Sequence, residues 1–236
     1  LSGLFFMFMA VMSIATMVPV IGSALALALL PAASLGLMAA TQEATRGKFP
    51  MPSILVTAFR AGRQQLRAMI VLGVLYALGF LVVMGVSALF DGGKFARLYL
   101  VGGQITRELA NDDSFQTAMW VAMALYLPLS LLFWHAPALV HWHGVPPVKS
   151  LFFSLVACLR NVRAFTLFGL GWIGVFLFGG LVVTLFAGLI GSAQVAGMAM
   201  VPAALLMAAM FFTSVYFSFR DSFVAEPDPS QPGDTP

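Results

Sequence analysis

Charge is what this sequence has least of. Only 9% of its 236 residues are Asp, Glu, Lys or Arg, where a soluble domain carries about 25%. So few charges cannot cover a surface that faces water, so a soluble globular domain is excluded and lipid is the expected surrounding. The net charge of +3 is small, and no nucleic-acid partner is expected. Cysteine is nearly absent: Cys158 stands alone and can form no internal disulfide. It is expected to pack inertly, with acylation beside the membrane as the alternative. A strand leading into a glycine-rich helix start is also missing, which removes the phosphate-loop and dinucleotide patterns.

What is present are uncharged apolar runs of roughly 18 to 29 residues, each long enough to cross a bilayer. They read as six membrane-spanning helices over residues 1–18, 21–41, 68–90, 115–140, 164–190 and 195–219. The fold class is therefore all-α: a polytopic membrane protein with one transmembrane domain, residues 1–220. The Pro-rich acidic remainder, 221–236, is expected to be a disordered cytoplasmic tail. Pro19 and Gly22 mark the first turn, and Pro31 is expected to kink the second span. The chain begins at Leu1, inside an apolar run, and the natural protein is expected to carry residues before it.

Two connections are amphipathic. After Pro146 and Pro147, apolar residues fall at Leu151, Phe152, Leu155, Val156, Leu159 and Val162, the spacing of one helix face. Lys149, Ser150, Ser154, Arg160, Asn161 and Arg163 fall largely opposite. This predicts a surface helix with its apolar side buried and its polar side toward headgroups. A second one is expected after Pro52, with Ser53 as N-cap and Arg60, Arg63 and Arg67 on a shared face. A third, short helix is expected from Lys94 to Val101, ended by Gly102 and Gly103. The segments FPMPSILVTAFRAGRQQLRAM and VPPVKSLFFSLVACLRNVRAF echo one another. Either a duplication or two independent amphiphiles would produce that echo. The second-to-third and fourth-to-fifth connections are basic and the others neutral or slightly acidic, which places the two basic connections and both chain ends in the cytoplasm.

Candidate sites are few. His135, His141 and His143 are the only imidazoles. A tight metal site needs three or four converging ligands, and positions 141 and 143 point to different sides of a helix. Interfacial anchoring with Trp134 and Trp142 is the alternative. His135, the deepest of the three, is the one ligand candidate; no metal and no cofactor are expected. Arg60, Arg63, Arg67, Lys149, Arg160 and Arg163 are candidate contacts for anionic lipid, each worth about 1 kcal/mol near a charged leaflet. Gly169, Gly171, Gly179, Gly180 and Gly188 permit close helix contact, expected within the monomer. Asp112 and Asp113 read as a solvated pair. Ser13, Ser23, Ser34, Ser87 and Thr184 have no companion base, so no serine nucleophile and no enzyme is expected.

The stretch LFWHAPALVHWHGVPPVKSLFFSLVACLRNVRAF, with LPAASLGLMAA before it and YFSFRDSF after it, resembles a family of beta-proteobacterial multi-pass inner-membrane proteins to which no activity is assigned. The resemblance spans essentially the whole chain. It implies an inner-membrane location and no particular reaction. The expected function is a non-catalytic scaffold or accessory subunit of a larger inner-membrane assembly; the alternative is a transporter or lipid-handling protein for an apolar or lipid substrate. Membrane lipids are the expected partners, with a larger complex as a further one. A lateral groove would favour the second class, a solid bundle the first.

Overall fold

A computed structural model describes residues 1–18, 22–190 and 193–223. Among these, every regular element is helical. In order they are α1 (Ser2–Thr16), α2 (Gly22–Thr45), a 3-10 turn (Pro52–Val56), α3 (Thr57–Arg60), α4 (Arg63–Asp91), α5 (Lys94–Val101), α6 (Arg107–Ala110), α7 (Asp113–Phe133), α8 (Ala136–His143), α9 (Pro147–Arg160), α10 (Val162–Ile190) and α11 (Ala193–Phe223). Five stretches are long and apolar enough to cross a membrane: Gly22–Thr45, Arg63–Asp91, Asp113–His143, Val162–Phe186 and Met198–Phe223. The expected sixth is α1. Its 15 residues reach about 22 Å at 1.5 Å per residue, short of a hydrocarbon core of about 30 Å. The expected turn at Pro19 and most of the expected tail, 224–236, lie outside the described residues. Residues 221–223, assigned to that tail, continue α11 instead.

The core sits where α2, α4, α7 and α8 meet. Ala32, Leu35, Met69, Leu72, Phe80 and Ala136 are buried together there. Small residues set the spacing, as in most membrane bundles. A Cβ on Gly73 would lie 2.1 Å from the Ala28 carbonyl oxygen, and one on Gly36 would lie 2.8 Å from that of Leu55. The first glycine brings α4 onto the backbone of α2. The second seats the 3-10 turn there.

Polar side chains tie the short elements between α4 and α7. Asp91, buried, accepts the Gly93 amide at 2.8 Å and the Phe95 amide at 2.6 Å, which caps α5. Gly92 (φ +67°) and Gly93 (φ +88°) make that turn in the left-handed region. The expected helix over Lys94–Val101 is present and stops at Gly102, φ +92°. Asp112 caps α7, accepting the amides of Ser114 and Phe115, and pairs with Lys94. The Lys94 ammonium, then the Ser114 hydroxyl, hold this carboxyl well below the usual carboxylate range.

The second amphipathic helix is not one element. Ser53 caps nothing and is exposed. Gly62, at φ +99°, stops the helix after α3. Arg60 therefore belongs to α3, while Arg63 and Arg67 open α4. A residue tolerating positive φ ended a pattern that the charge spacing alone would continue. The echoing segment differs in form, since α9 is continuous over 14 residues.

Candidate functional site

The fourth span breaks at Trp134 and His135. Pro137 causes it: the ring has no N–H for the Phe133 carbonyl and crowds that oxygen. A helix opened this way inside lipid exposes backbone groups that nothing hydrates. Here Ser154 of α9 fills the gap. The His135 amide donates to its Oγ at 2.9 Å, and the same hydroxyl donates to the Leu131 carbonyl at 2.8 Å. Residues 131 and 135 are the pair that a continuous helix would join directly. The Ser154 hydroxyl is thus spliced into the missing bond.

That splice inverts the expected packing of α9. Its buried residues are Ser150, Ser154 and Cys158, one helical turn apart. Phe152, Leu159 and Val162, assigned to the buried face, are exposed. Small polar side chains let α9 lie close against α7 and α8, and its phenyl rings face outward, where lipid takes the place of a core. Lys149, Arg160, Asn161 and Arg163 remain exposed, as expected.

The three histidines do not converge. His135 is fully buried, shares a 3.1 Å hydrogen bond between Nε2 and Ser218 of α11, and packs on Phe165, Phe219 and Phe223. His141 lines a cavity of about 480 Å³ with Glu43 and Arg60. His143 is exposed and lies beside Phe219. Among the described residues, no group of three His, Cys, Asp or Glu side chains is placed to hold a metal ion.

Two cavities flank Trp134. The outer one, about 500 Å³, lies between α7 and α9 on one side and α10 and α11 on the other. Leu131, Trp134, Leu159, Phe165, Trp172 and Phe211 form much of its wall. The inner one, about 300 Å³, lies among α2, α4, α7 and α11, with Ser34, Tyr76, Tyr126 and Phe133 in its wall. Trp134, Ser130 and Phe211 belong to both walls. Trp134 stands edge-on to Phe165, Phe168 and Phe211 at 5.7–5.9 Å between ring centroids, an arrangement that aromatic quadrupoles favour. The sequence pointed to neither cavity. Their walls come from helices far apart in the chain, and the one local signal was the Trp-His pair just before Pro137.

The outer cavity opens where α10, packed along α11, meets α9 only lightly. No described residue of α10 is buried. Its glycines do not pack within the monomer as expected: a Cβ on Gly169, Gly171, Gly180 or Gly188 would meet nothing within 4 Å, and only Gly179 would touch a neighbour, the flexible Met207. Aromatic side chains, not glycine contacts, dock this helix.

No family model matches the chain, and neither does any solved structure. A probable inner membrane protein of Burkholderia thailandensis is 38% identical over 228 residues, covering 95% of this chain and 84% of the relative. Identity at that level over nearly the full length, with helices of membrane-crossing length and composition, makes this chain a multi-pass membrane protein belonging to the family of that inner membrane protein.

Proposed function

We propose that this protein is a non-catalytic lipid-handling protein that takes an acyl chain of an anionic phospholipid into the groove under α10. The groove itself carries the reading. It is an apolar cavity of about 500 Å³ walled by Leu, Phe and Trp side chains. Arg160 and Arg163 are exposed and adjoin the wall residues Leu159 and Val162. A headgroup phosphate over these guanidiniums sets its chain against the wall below, and Arg suits a phosphate through its planar fork of donors. Lys149, Arg60, Arg63 and Arg67 are exposed on elements at the same end of the bundle and add to the attraction for an anionic leaflet.

Gly169 supplies the test. It lines the groove, and a side chain there meets no protein atom. Gly169→Leu fills the groove without straining the fold. Affinity for phospholipid, followed by native mass spectrometry of protein extracted in mild detergent, should fall about tenfold, the equivalent of 1.4 kcal/mol. Unchanged lipid retention at unchanged thermal stability would refute the groove reading.

A second reading keeps one observation of its own. Apart from Gly169 in the groove wall, Gly171, Gly174, Gly180 and Gly188 of α10 also have open space beside them, which suits a partner helix in a larger assembly, for which the protein would be a scaffold or accessory subunit. A stoichiometric protein partner in the same extraction supports it; isolation as a lone chain counts against it.

The orientation belongs to this proposal. The basic connection 46–62, the basic end of α9 and both chain ends face the cytoplasm, with α1 running antiparallel to α2. Phe49 is 89% exposed and Ile105 is 65% exposed. In intact cells a membrane-impermeant maleimide should label Ile105→Cys and leave Phe49→Cys unlabelled. The reverse pattern would invert the topology.

A further inference from the structure

We propose that the inner cavity is a second binding site, for a membrane-borne molecule with an apolar body and a carbonyl oxygen. The observation is a phenol proton with nowhere to go. Tyr76 and Tyr126 meet at 3.2 Å between hydroxyl oxygens in the cavity wall. Each lies about 20 Å along its helix, at 1.5 Å per residue, from the starts of α4 at Arg63 and α7 at Asp113. Those starts are at opposite ends of the bundle, so the pair sits deep in the apolar layer. Two phenols carry two protons. Their mutual hydrogen bond uses one, and among the described residues the other has no acceptor.

The neighbouring hydroxyls do not relieve it. Ser34 donates to the Pro31 carbonyl at 2.9 Å, and Ser130 donates to that of Leu127 at 2.7 Å. Their protons are spent on their own helices. A phenol O–H without a partner is costly in a medium that offers no water. A carbonyl oxygen is its natural complement, being an acceptor with no proton of its own to place. The rest of the wall selects the body of the ligand. Phe133 stands edge-on to Tyr76 at 5.0 Å, and Phe212 and Trp134 complete an aromatic lining, which suits a flat ring. Two membrane-borne sources carry such a carbonyl: a quinone, whose ring bears it, and a phospholipid, whose ester bears it.

This site stands on the tyrosine pair and not on the groove under α10, so the two can fail separately. The full chain in mild detergent is titrated with a short-chain ubiquinone analogue, read by quenching of its tryptophan fluorescence. In parallel, diester and diether phosphatidylethanolamine are compared by native mass spectrometry. Either saturable quinone binding or preference for the diester is expected, and which one appears names the source. The double variant Tyr76→Phe/Tyr126→Phe keeps both rings and should weaken that binding about tenfold, the effect of one lost hydrogen bond. Ser34→Leu, which fills the inner cavity, should abolish it. Gly169→Leu should leave it unchanged. Binding indifferent to both inner-cavity variants, or no preference for a carbonyl in either arm, overturns the proposal.

Discussion

Gly73→Ala should be among the most damaging single-methyl additions in this protein, lowering its stability by about 3 kcal/mol, the upper part of the range for overpacking a core. The added carbon would stand 2.1 Å from the Ala28 carbonyl oxygen and 3.1 Å from its carbon. Both are backbone atoms of α2, so no rotamer change makes room and the two helices must move apart. That separation would pull Ala32 and Leu35 away from Met69, Leu72 and Tyr76, the centre of the core. Gly85→Ala is the control. Gly85 lies on the same helix, and a Cβ there meets nothing within 4 Å. An exposed Gly→Ala change in a helix stabilises by up to about 1 kcal/mol. Thermal unfolding of both variants in one detergent decides the matter: equal unfolding temperatures would mean that α2 and α4 do not touch at Gly73.

Ser154→Ala should cost about 2 kcal/mol. It removes one hydroxyl, strands the His135 amide and leaves the Leu131 carbonyl only the weak Cys158 thiol at 3.8 Å. An unsatisfied buried group costs about 1–3 kcal/mol, while hydrogen bonds measured inside membranes average nearer 0.6; two groups at intermediate values give the figure. Ser87→Ala separates this from the loss of any buried hydroxyl. Ser87 is equally inaccessible, but it only donates back to Met84 on its own helix, so its removal strands no amide. Amide hydrogen exchange gives the local readout. In Ser154→Ala the His135 amide should exchange at least tenfold faster, whereas Ser87→Ala should leave it unchanged. Equal protection in the two variants would show that the break is held by something other than this hydroxyl.

The crossings were legible because hydrophobic length and prolines act locally. Residues 68–90 lie within α4, Lys94–Val101 formed as expected, and Pro146–Pro147 started α9. What misled was the sidedness of α9. The spacing puts Phe152 and Leu159 on the buried face of a surface helix and Ser150 and Ser154 on its headgroup side. In lipid the outside is apolar too, and the contact goes to whatever permits close approach or hydrogen-bonds a broken backbone. Arg60, Arg63 and Arg67 misled for a different reason: their spacing fits one helix, but a glycine at φ +99° divides them. Of the candidate site residues, His135 is deep, and its neighbours among the described residues are phenyl rings and Ser218. Tyr76 and Tyr126 were passed over because 50 positions separate them. No periodicity joins two residues on different helices.

Cys158 lies along the splice, 2% exposed, with its thiol pushed up to about 11 by burial. Alkylating reagents attack the thiolate. Raising a thiol from its ordinary value of 9.0 to about 11 leaves roughly a hundredth of the usual reactive fraction near neutrality, before any steric screening. The native sulfur should therefore label far more slowly than an exposed cysteine near neutral pH, so spectroscopic labels could be attached at chosen positions with Cys158 left in place.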